Sequence, residues 1–250
     1  MKKFVKILAV VMIVALSATL LFACGGQEDT GREKLIMGTN AAFPPYEYYE
    51  GDKIVGIDAE VGALIAEKLD MDFEILDMDF NGIISAVQNG VVDIGMAGMT
   101  VREDRLEHVN FSTTYAKGVQ VVIVKEGSDI KTLDDLAGKL IGVQEATTGD
   151  AYASEDYGEE NVKRYTNGAA AVAALQSDIV NAVIIDNEPA KAFVAANEGL
   201  TILETAYADE DYAIAVAKEN TELLEKINTA LAELTADGSI DAIVNKYIPA

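Results

Sequence analysis

An arginine and two neighbouring donors could form a carboxylate site. Arg105 lies five residues after Thr100, and Gly98 lies in the same predicted turn. A guanidinium fork binds both oxygens of a carboxylate, and unpaired N–H groups at a helix start or a Thr hydroxyl add further donors. These three residues therefore predict that a carboxylate binds here. The alternative is a surface arginine paired with Glu103 or Asp104.

A buried acid is expected further along the chain. Asp186 directly follows the apolar run 182–185. A carboxylate at the end of a strand could bind an ammonium group. It could equally cap the helix that contains Pro189, and the two roles do not exclude one another.

Aromatic and neutral polar side chains also follow predicted strands. Phe43 and Phe80 come after the first two strands; they could bracket the flat or aliphatic part of a ligand, or belong to the core. Four neutral residues could donate or accept hydrogen bonds: Asn40, Gln144, Thr147 and Thr148. Each is also a common turn or cap residue, so either role is open.

We find no catalytic set of residues. The chain has one His and one Cys, too few for a His-based triad, an intrachain disulfide or a thiolate zinc cluster. His108 falls in an acidic helix-to-strand connection, where we expect it to be exposed. Residues 38–45 lack the glycine pattern of a phosphate-binding loop. We therefore expect no cofactor and no metal.

The charge excludes other classes of partner. The 250 residues carry 42 acidic and 19 basic side chains, a formal charge of −23. This balance argues against nucleic acid and against electrostatic docking on anionic lipid. Half of the residues are apolar, which is ample for a packed core in one large domain or two smaller ones.

The N-terminus has the pattern of an export signal. Three lysines precede a long apolar run that ends at Cys24, which predicts a signal peptide over residues 1–23 rather than a membrane-spanning anchor. Residues 21–24 (LFAC) resemble a bacterial lipobox, in which the Cys receives two acyl chains such as palmitate and anchors the protein stably. Residues 24–34 read as a flexible tether. Cleavage removes three lysines and no acid, which makes the formal charge −26.

The chemistry-bearing residues must be positioned by alternating strands and helices. Strands are predicted over 35–39, 73–76, 93–97, 118–124, 140–143, 162–165, 182–185, 201–203 and 211–216. Helices are predicted over 58–69, 82–88, 133–136, 169–175, 189–196, 221–234 and 240–247, with further helices opening after Thr100 and Thr148. The alternation restarts once, so an α/β chain with two sheets and two lobes is expected. Ligands of such sheets bind beyond the carboxyl ends of the strands.

Seven segments together resemble the bacterial extracellular solute-binding proteins that serve polar amino-acid ABC transporters, the family 3 type. The matching segments are residues 38–48 (GTNAAFPPYEY), 56–60 (GIDAE), 78–84 (MDFNGII), 97–105 (AGMTVREDR), 111–112 (FS), 142–149 (GVQEATTG) and 182–186 (AVIID). The segments occur in the same order as in the family, and the resemblance covers essentially residues 35–248.

The resemblance implies a type II periplasmic-binding-protein-like fold, in which two α/β lobes joined by two strands close around a ligand. Lobe 1 would comprise residues 35–116 and 214–250, and is therefore discontinuous. Lobe 2 would comprise residues 119–210. The hinges would lie near 117–118 and 211–213.

The resemblance also implies the binding roles. Arg105 matches the residue that holds the ligand α-carboxylate, helped by Thr100 and by the backbone at Gly98 and Thr148. Asp186 matches the carboxylate that holds the α-ammonium. The aromatic pair Phe43 and Phe80 matches the residues that bracket the ligand side chain.

The substrate stays open between two kinds of side chain. Asn40 and Gln144 match the positions that choose the substrate, and two neutral residues there suggest a polar uncharged ligand such as glutamine. Binders of cationic amino acids often place Asp where Asn40 stands. Glu47 could instead receive a guanidinium, and related arginine binders share the Gln-x-Ala-Thr-Thr segment that includes Thr147.

The expected protein is therefore not an enzyme. It is a lipid-anchored monomer on the outer face of the cell membrane that captures a free amino acid and delivers it to permease subunits. One alternative is a cyclohexadienyl-dehydratase-like enzyme on the same fold, which would need Glu47, Glu145 or Asp186 as a general acid. Another alternative is the ligand-sensing lobe of a receptor.

Overall fold

A computed structural model describes residues 32–204 and 206–249. Apart from Arg32, these belong to one compact unit, Glu33–Ala250. The predicted signal peptide, Cys24 and most of the predicted tether lie outside the described residues. The tether was predicted to extend to residue 34, but the first strand already begins there, because Lys34 pairs with Asp72.

Fourteen strands are present in the described residues. They are β1 (Lys34–Thr39), β2 (Ala42–Phe43), β3 (Glu47–Glu50), β4 (Lys53–Val55), β5 (Asp72–Asp77), β6 (Ile94–Gly95), β7 (Val109–Phe111), β8 (Ala116–Lys125), β9 (Ile141–Gln144), β10 (Val162–Tyr165), β11 (Ala182–Asp186), β12 (Leu200–Ile202), β13 (Ala208–Tyr212) and β14 (Ala215–Ala217).

Eight α-helices accompany these strands across the same part of the chain. They are α1 (Ile57–Lys68), α2 (Phe80–Gln88), α3 (Glu103–Leu106), α4 (Thr148–Tyr157), α5 (Gly168–Gln176), α6 (Asn187–Ala196), α7 (Thr221–Ala236) and α8 (Ser239–Tyr247). Short 3₁₀ turns cover Leu133–Leu136 and Glu159–Asn161. None of the helices in the described ranges combines the length and the apolar character that crossing a membrane requires.

The strands form two large sheets and one small sheet. The first sheet has the order β5-β1-β6-β14-β7, and the second has the order β10-β9-β11-β8-β12 with β13 also paired to β8. The small sheet is the meander β2-β3-β4. The C-terminal strand β14 returns to the first sheet, so the chain forms a two-lobed α/β fold whose first lobe is discontinuous. The chain passes between the lobes along β8 and β13, which pair antiparallel.

Each large sheet is buried on both faces. Along β8, Val121 and Ile123 pack into one apolar cluster, while Val122 and Val124 pack into another on the opposite face. Alternate residues of a strand point to opposite faces. The continuous apolar run that predicted this strand is therefore explained by helices and loops that cover both faces of the second sheet.

Most predicted elements are confirmed. The strand β7 and the meander β2-β3-β4 were not predicted. The strand predicted over 211–216 is divided into β13 and β14, because residues 213–214 carry the chain from the second sheet to the first. The strand predicted over 93–97 is reduced to Ile94–Gly95.

Candidate functional site

One cavity is lined by every ligand-binding residue that the sequence predicted. It encloses about 460 Å³ of space, including space open to solvent. Eleven predicted residues line it: Asn40, Phe43, Glu47, Phe80, Gly98, Thr100, Arg105, Gln144, Thr147, Thr148 and Asp186. They come from both lobes, as expected for residues that follow the strands of two facing sheets.

Arg105 is a buried cation, so the alternative of a surface arginine is wrong. Its side chain is almost fully buried, and it donates to the carbonyls of Thr100 (2.9 Å) and Ala146 (3.0 Å). Those bonds use two of its five N–H donors. The guanidinium also lies 5.3 Å from the centre of the Phe80 ring. Burial lowers its pKa to about 10, so the group is charged at neutral pH. The surface arginine is Arg102, which pairs with Asp104.

The turn before Arg105 differs from the prediction. The helix was expected to open after Thr100, but α3 begins at Glu103, because Thr100 forms an isolated bridge with Tyr212 and is extended. The Thr100 hydroxyl donates to Glu210 Oε2 over 2.6 Å.

The N–H of Gly98 is also occupied. It donates to Asp58 Oδ2 over 2.9 Å, so it is not the free donor that the sequence suggested. Gly98 has a φ of +53°, and a side chain there would meet the ring of Phe43. The glycine therefore allows close packing beside the cavity.

Asp186 has the N-cap role that the sequence allowed, and its side chain also lines the cavity. It is the last residue of β11, and its Oδ1 accepts from the N–H of Glu188 as the N-cap of α6. The Tyr212 hydroxyl donates to Oδ2. Asp186 is 1% exposed. Burial raises its pKa to about 7, although the Tyr212 hydrogen bond opposes the rise.

Glu47 lies in a second buried acidic group beside the cavity. It is 1% exposed, and β3 places it near Asp58, which accepts from Gly98 and from the Tyr115 hydroxyl (2.7 Å). Burial and the adjacent Asp58 raise the pKa of Glu47 well above its usual range. Burial also raises the pKa of Asp58, to about 6. The raised pKa favours the protonated, uncharged form of Glu47, which makes it a weaker partner for a guanidinium.

The aromatic residues surround the cavity as predicted. The Phe43 ring stacks on Tyr46 with the ring centres 5.8 Å apart, and Tyr46 meets Tyr212 edge-on at 5.2 Å. Phe80 is buried in the core as well as lining the cavity. Its core role and its place at the site therefore coexist.

The two threonines at the start of α4 act differently. Thr147 is the N-cap, and its hydroxyl accepts from the N–H of Asp150 and donates to the carbonyl of Gln144. Thr148 is 4% exposed, and its hydroxyl lies 3.5 Å from Gln120 Nε2. The cap role is therefore confirmed for Thr147.

Six further residues line the cavity that the sequence did not indicate. They are Ala97, Gln120, Ile184, Ile185, Glu210 and Tyr212. Gln120, Glu210 and Tyr212 lie within β8 and β13, away from the strand ends that sequence reasoning considers. No local pattern marks Glu210: it is buried between two exposed acids, Asp209 and Asp211, so residue type alone does not distinguish it.

The cavity therefore carries more acid than base. Its lining contains the carboxyl groups of Glu47, Asp186 and Glu210, and the guanidinium of Arg105. Among residues 32–204 and 206–249, no group of three or more His, Cys, Asp or Glu side chains could hold a metal ion. The arrangement suits a ligand that has both an anionic and a cationic group.

Comparison with known proteins agrees with this geometry. The arginine-binding extracellular protein ArtP of Bacillus subtilis is 33% identical over 99% of this chain and 98% of its own. The solved structure of an ancestral arginine-binding protein bound to glutamine is 41% identical, with a TM-score of 0.83 over 88% of this chain and 99% of its own. The arginine-, lysine-, histidine-binding protein ArtJ of Geobacillus stearothermophilus is 33% identical, with a TM-score of 0.83 over 87% of this chain and 96% of its own. These relatives are binding proteins rather than enzymes. The family model for bacterial extracellular solute-binding proteins, family 3, matches residues 35–250, and the chain belongs to that family.

Proposed function

We propose that the protein captures a free L-amino acid with a polar side chain in the cavity between its lobes. One observation carries the proposal: Arg105 and Asp186, of opposite charge, are both buried in the lining of one cavity. A buried charge is costly unless it is paired. The α-carboxylate of an amino acid would pair with Arg105, and its α-ammonium would pair with Asp186.

The side chain of the ligand is glutamine-like or arginine-like. Two similar structures are ancestral arginine-binding proteins, one bound to glutamine and one bound to arginine. The neutral amides of Asn40 and Gln144 favour a neutral polar side chain. The acidic excess of the lining favours a cationic side chain, although the raised pKa of Glu47 reduces its share of that charge.

Capture proceeds by hinge closure. Lobe 1 would comprise residues 35–116 and 214–250, lobe 2 residues 119–210, and the hinges would lie in the paired strands β8 and β13. Hydrogen bonds between the lobes support a closing motion, among them Arg105 to the carbonyl of Ala146 (3.0 Å) and Asn81 Nδ2 to Glu145 Oε2 (3.3 Å). Closure then buries both charged ends of the ligand.

The captured amino acid is delivered to the permease subunits of an ABC importer, and the receptor works as an exported monomer. A signal peptide over residues 1–23 and lipidation of Cys24 would hold it at the outer face of the cell membrane. To test the anchor, mass spectrometry of the N-terminal peptide from the membrane fraction should find two acyl chains on Cys24. An unmodified Cys24 would contradict lipid anchoring there.

A thermal-shift screen of the twenty amino acids tests the proposed function. A ligand at about one hundred times its Kd stabilises the native state by about 2.7 kcal/mol, which raises the Tm. We expect a shift with glutamine, arginine or both, and recovery of the unchanged amino acid afterwards. The absence of any shift would overturn amino-acid capture, and conversion of the ligand would favour an enzyme.

A further inference from the structure

Glu210 has a buried carboxyl oxygen that the fold leaves without a donor. The residue is 5% exposed and lines the cavity. Its Oε2 accepts from the Thr100 hydroxyl (2.6 Å) and from Gln120 Nε2 (3.3 Å). Its Oε1 is buried and has no hydrogen-bond partner within residues 32–204 and 206–249. A buried carboxylate oxygen in this position calls for a donor, and the cavity is where a ligand would supply one.

The sheet register directs Glu210 and Asp186 towards each other. On one side of β8, Asp186 pairs with Gln120; on the other side, Glu210 pairs with Gly118. Paired residues share a face of the sheet, as do alternate residues of one strand. Both carboxyl groups therefore rise from the same face, with β8 between them.

Gly118 has no side chain, which leaves room beside β8 for the side chains of Asp186 and Tyr212. A Cβ at this position would overlap Asp186 Oδ2 and the Tyr212 hydroxyl. The Asp186 side chain therefore leans over β8, towards the strand that carries Glu210. In keeping with this proximity, the pKa of Asp186 is raised first by burial and also by the negative charge of Glu210.

The contacts of Glu210 also place it at the α-carbon end of the cavity. Thr100 links it to the carboxylate anchor, since the Thr100 carbonyl accepts from Arg105 while the Thr100 hydroxyl donates to Glu210. Asn40 and Gln144, the two residues proposed to contact the ligand side chain, bond to each other instead. A cation next to Glu210 would therefore be the α-ammonium rather than a charged side chain.

We propose that Glu210 is a second carboxylate for the ligand α-ammonium, with Asp186 accepting one N–H and Glu210 Oε1 another. This inference rests on the proposed function. An ammonium group has three N–H donors, so a single carboxylate does not satisfy it. With two carboxylates, the site selects a ligand with a charged α-amino group against one in which a neutral group replaces it.

The test compares the wild-type protein with Glu210→Gln and Asp209→Asn. Asp209 is the neighbouring acid on β13, and it is exposed, so its variant removes the same charge away from the cavity. Calorimetry measures the Kd of L-arginine, L-glutamine and their 2-hydroxy analogues, in which a neutral hydroxyl replaces the α-ammonium. Glu210→Gln should weaken the binding of both amino acids by at least about tenfold. The Kd of each 2-hydroxy analogue should stay nearly unchanged. Asp209→Asn should match the wild type throughout.

Three results would overturn the inference: wild-type affinity in Glu210→Gln, an equal loss for an amino acid and its 2-hydroxy analogue, or a loss confined to arginine. The last would mean that Glu210 reads a charged side chain. If circular dichroism shows that Glu210→Gln does not fold, Glu210→Asp replaces it, and the same selective loss is expected. If the wild-type protein binds no amino acid, the proposed function itself fails. That result is distinguishable from failure of the Glu210 inference alone, in which the wild type still binds.

Discussion

Gln144 Nε2 donates to Asn40 Oδ1 over 3.0 Å, although 104 positions separate the two residues. Asn40 follows β1 in the first lobe, and Gln144 ends β9 in the second, so the bond bridges the cavity between the lobes. Asn40 Nδ2 also donates to the carbonyl of Met78 (2.9 Å). A ligand side chain that reaches Asn40 and Gln144 must either break their mutual hydrogen bond or bind the amide atoms that this bond does not use.

The first prediction concerns this amide pair. Asn40→Asp should shift the preference from glutamine towards arginine by about tenfold or more, because a carboxylate attracts a cationic side chain far more strongly than an amide does. Competition binding of the two amino acids measures the ratio. An unchanged ratio would show that the ligand side chain does not reach Asn40.

The second prediction concerns the carboxylate anchor. Arg105→Ala should weaken amino-acid binding by about 2–5 kcal/mol, since it leaves a buried ligand carboxylate without its partner. Lys163→Ala is the control, because Lys163 is an exposed cation on β10 and does not line the cavity. Calorimetry should show near wild-type affinity for the control. Tight binding by a folded Arg105→Ala variant would refute the assignment.

The third prediction is that amino-acid binding weakens in acid. The ligand α-ammonium needs an ionised Asp186, but in the ligand-free protein the pKa of this carboxyl is raised to about 7, mainly by burial. Below pH 7 binding must therefore displace a proton, and the affinity should fall by up to about tenfold per pH unit. Titrations between pH 5 and 8 measure this slope. A Kd that is constant over that range would contradict the prediction.

The fourth prediction is that the ligand-free protein becomes more stable as the pH falls from 8 to 5. The pKa values of Asp186 (about 7) and Asp58 (about 6) are raised above their unfolded value of 3.8, mainly by burial. The folded state then binds protons that the unfolded state does not, so the free energy of unfolding increases as the pH decreases through these values. Urea unfolding of the wild type and of Asp186→Asn measures the free energy of unfolding at each pH. The variant should lose the part of the pH dependence that Asp186 contributes, around its pKa of about 7. A stability maximum at pH 8 would count against it.

The fifth prediction concerns the glycine between the two acids. Gly118→Ala should destabilise the protein by about 1–3 kcal/mol, because the new methyl group overlaps Asp186 and Tyr212. Gly82→Ala is the control: Gly82 lies in α2 with nothing within 4 Å of its added Cβ, so the change should be neutral or stabilising by about 0.5–1 kcal/mol. Denaturant unfolding measures the free energy of unfolding of both variants. Equal values for Gly118→Ala and Gly82→Ala would contradict the predicted overlap at Gly118.

Local patterns in the sequence were sufficient for most elements and for much of the site. The predicted strand 162–165 matches β10 residue for residue, and the predicted helix 240–247 differs from α8 by one residue. Strand ends were also a sound guide, since the residues expected there line one cavity. This works because parallel strands of one sheet bring their carboxyl ends to the same edge.

Long-range pairing explains the errors. A capping pattern at Thr100 predicted a helix start, but the bridge from Thr100 to Tyr212 holds the backbone extended, and the Thr100 hydroxyl bonds to Glu210 instead. The two partners are more than one hundred positions away. No local propensity can anticipate a bond whose donor and acceptor meet only when β13 joins the second sheet.

By itself, the sequence determined the α/β class, the two-sheet alternation and the candidate anchors Arg105 and Asp186, because hydrophobic periodicity and strand ends are local properties. The tertiary structure alone decided which charges are buried together. It showed that Glu47 sits beside Asp58, and that Glu210 faces the cavity across Gly118. The physical reason is that burial, strand register and the separation of charges depend on residues distant in the chain, and these quantities set the pKa of each acid and the ligand groups that it can accept.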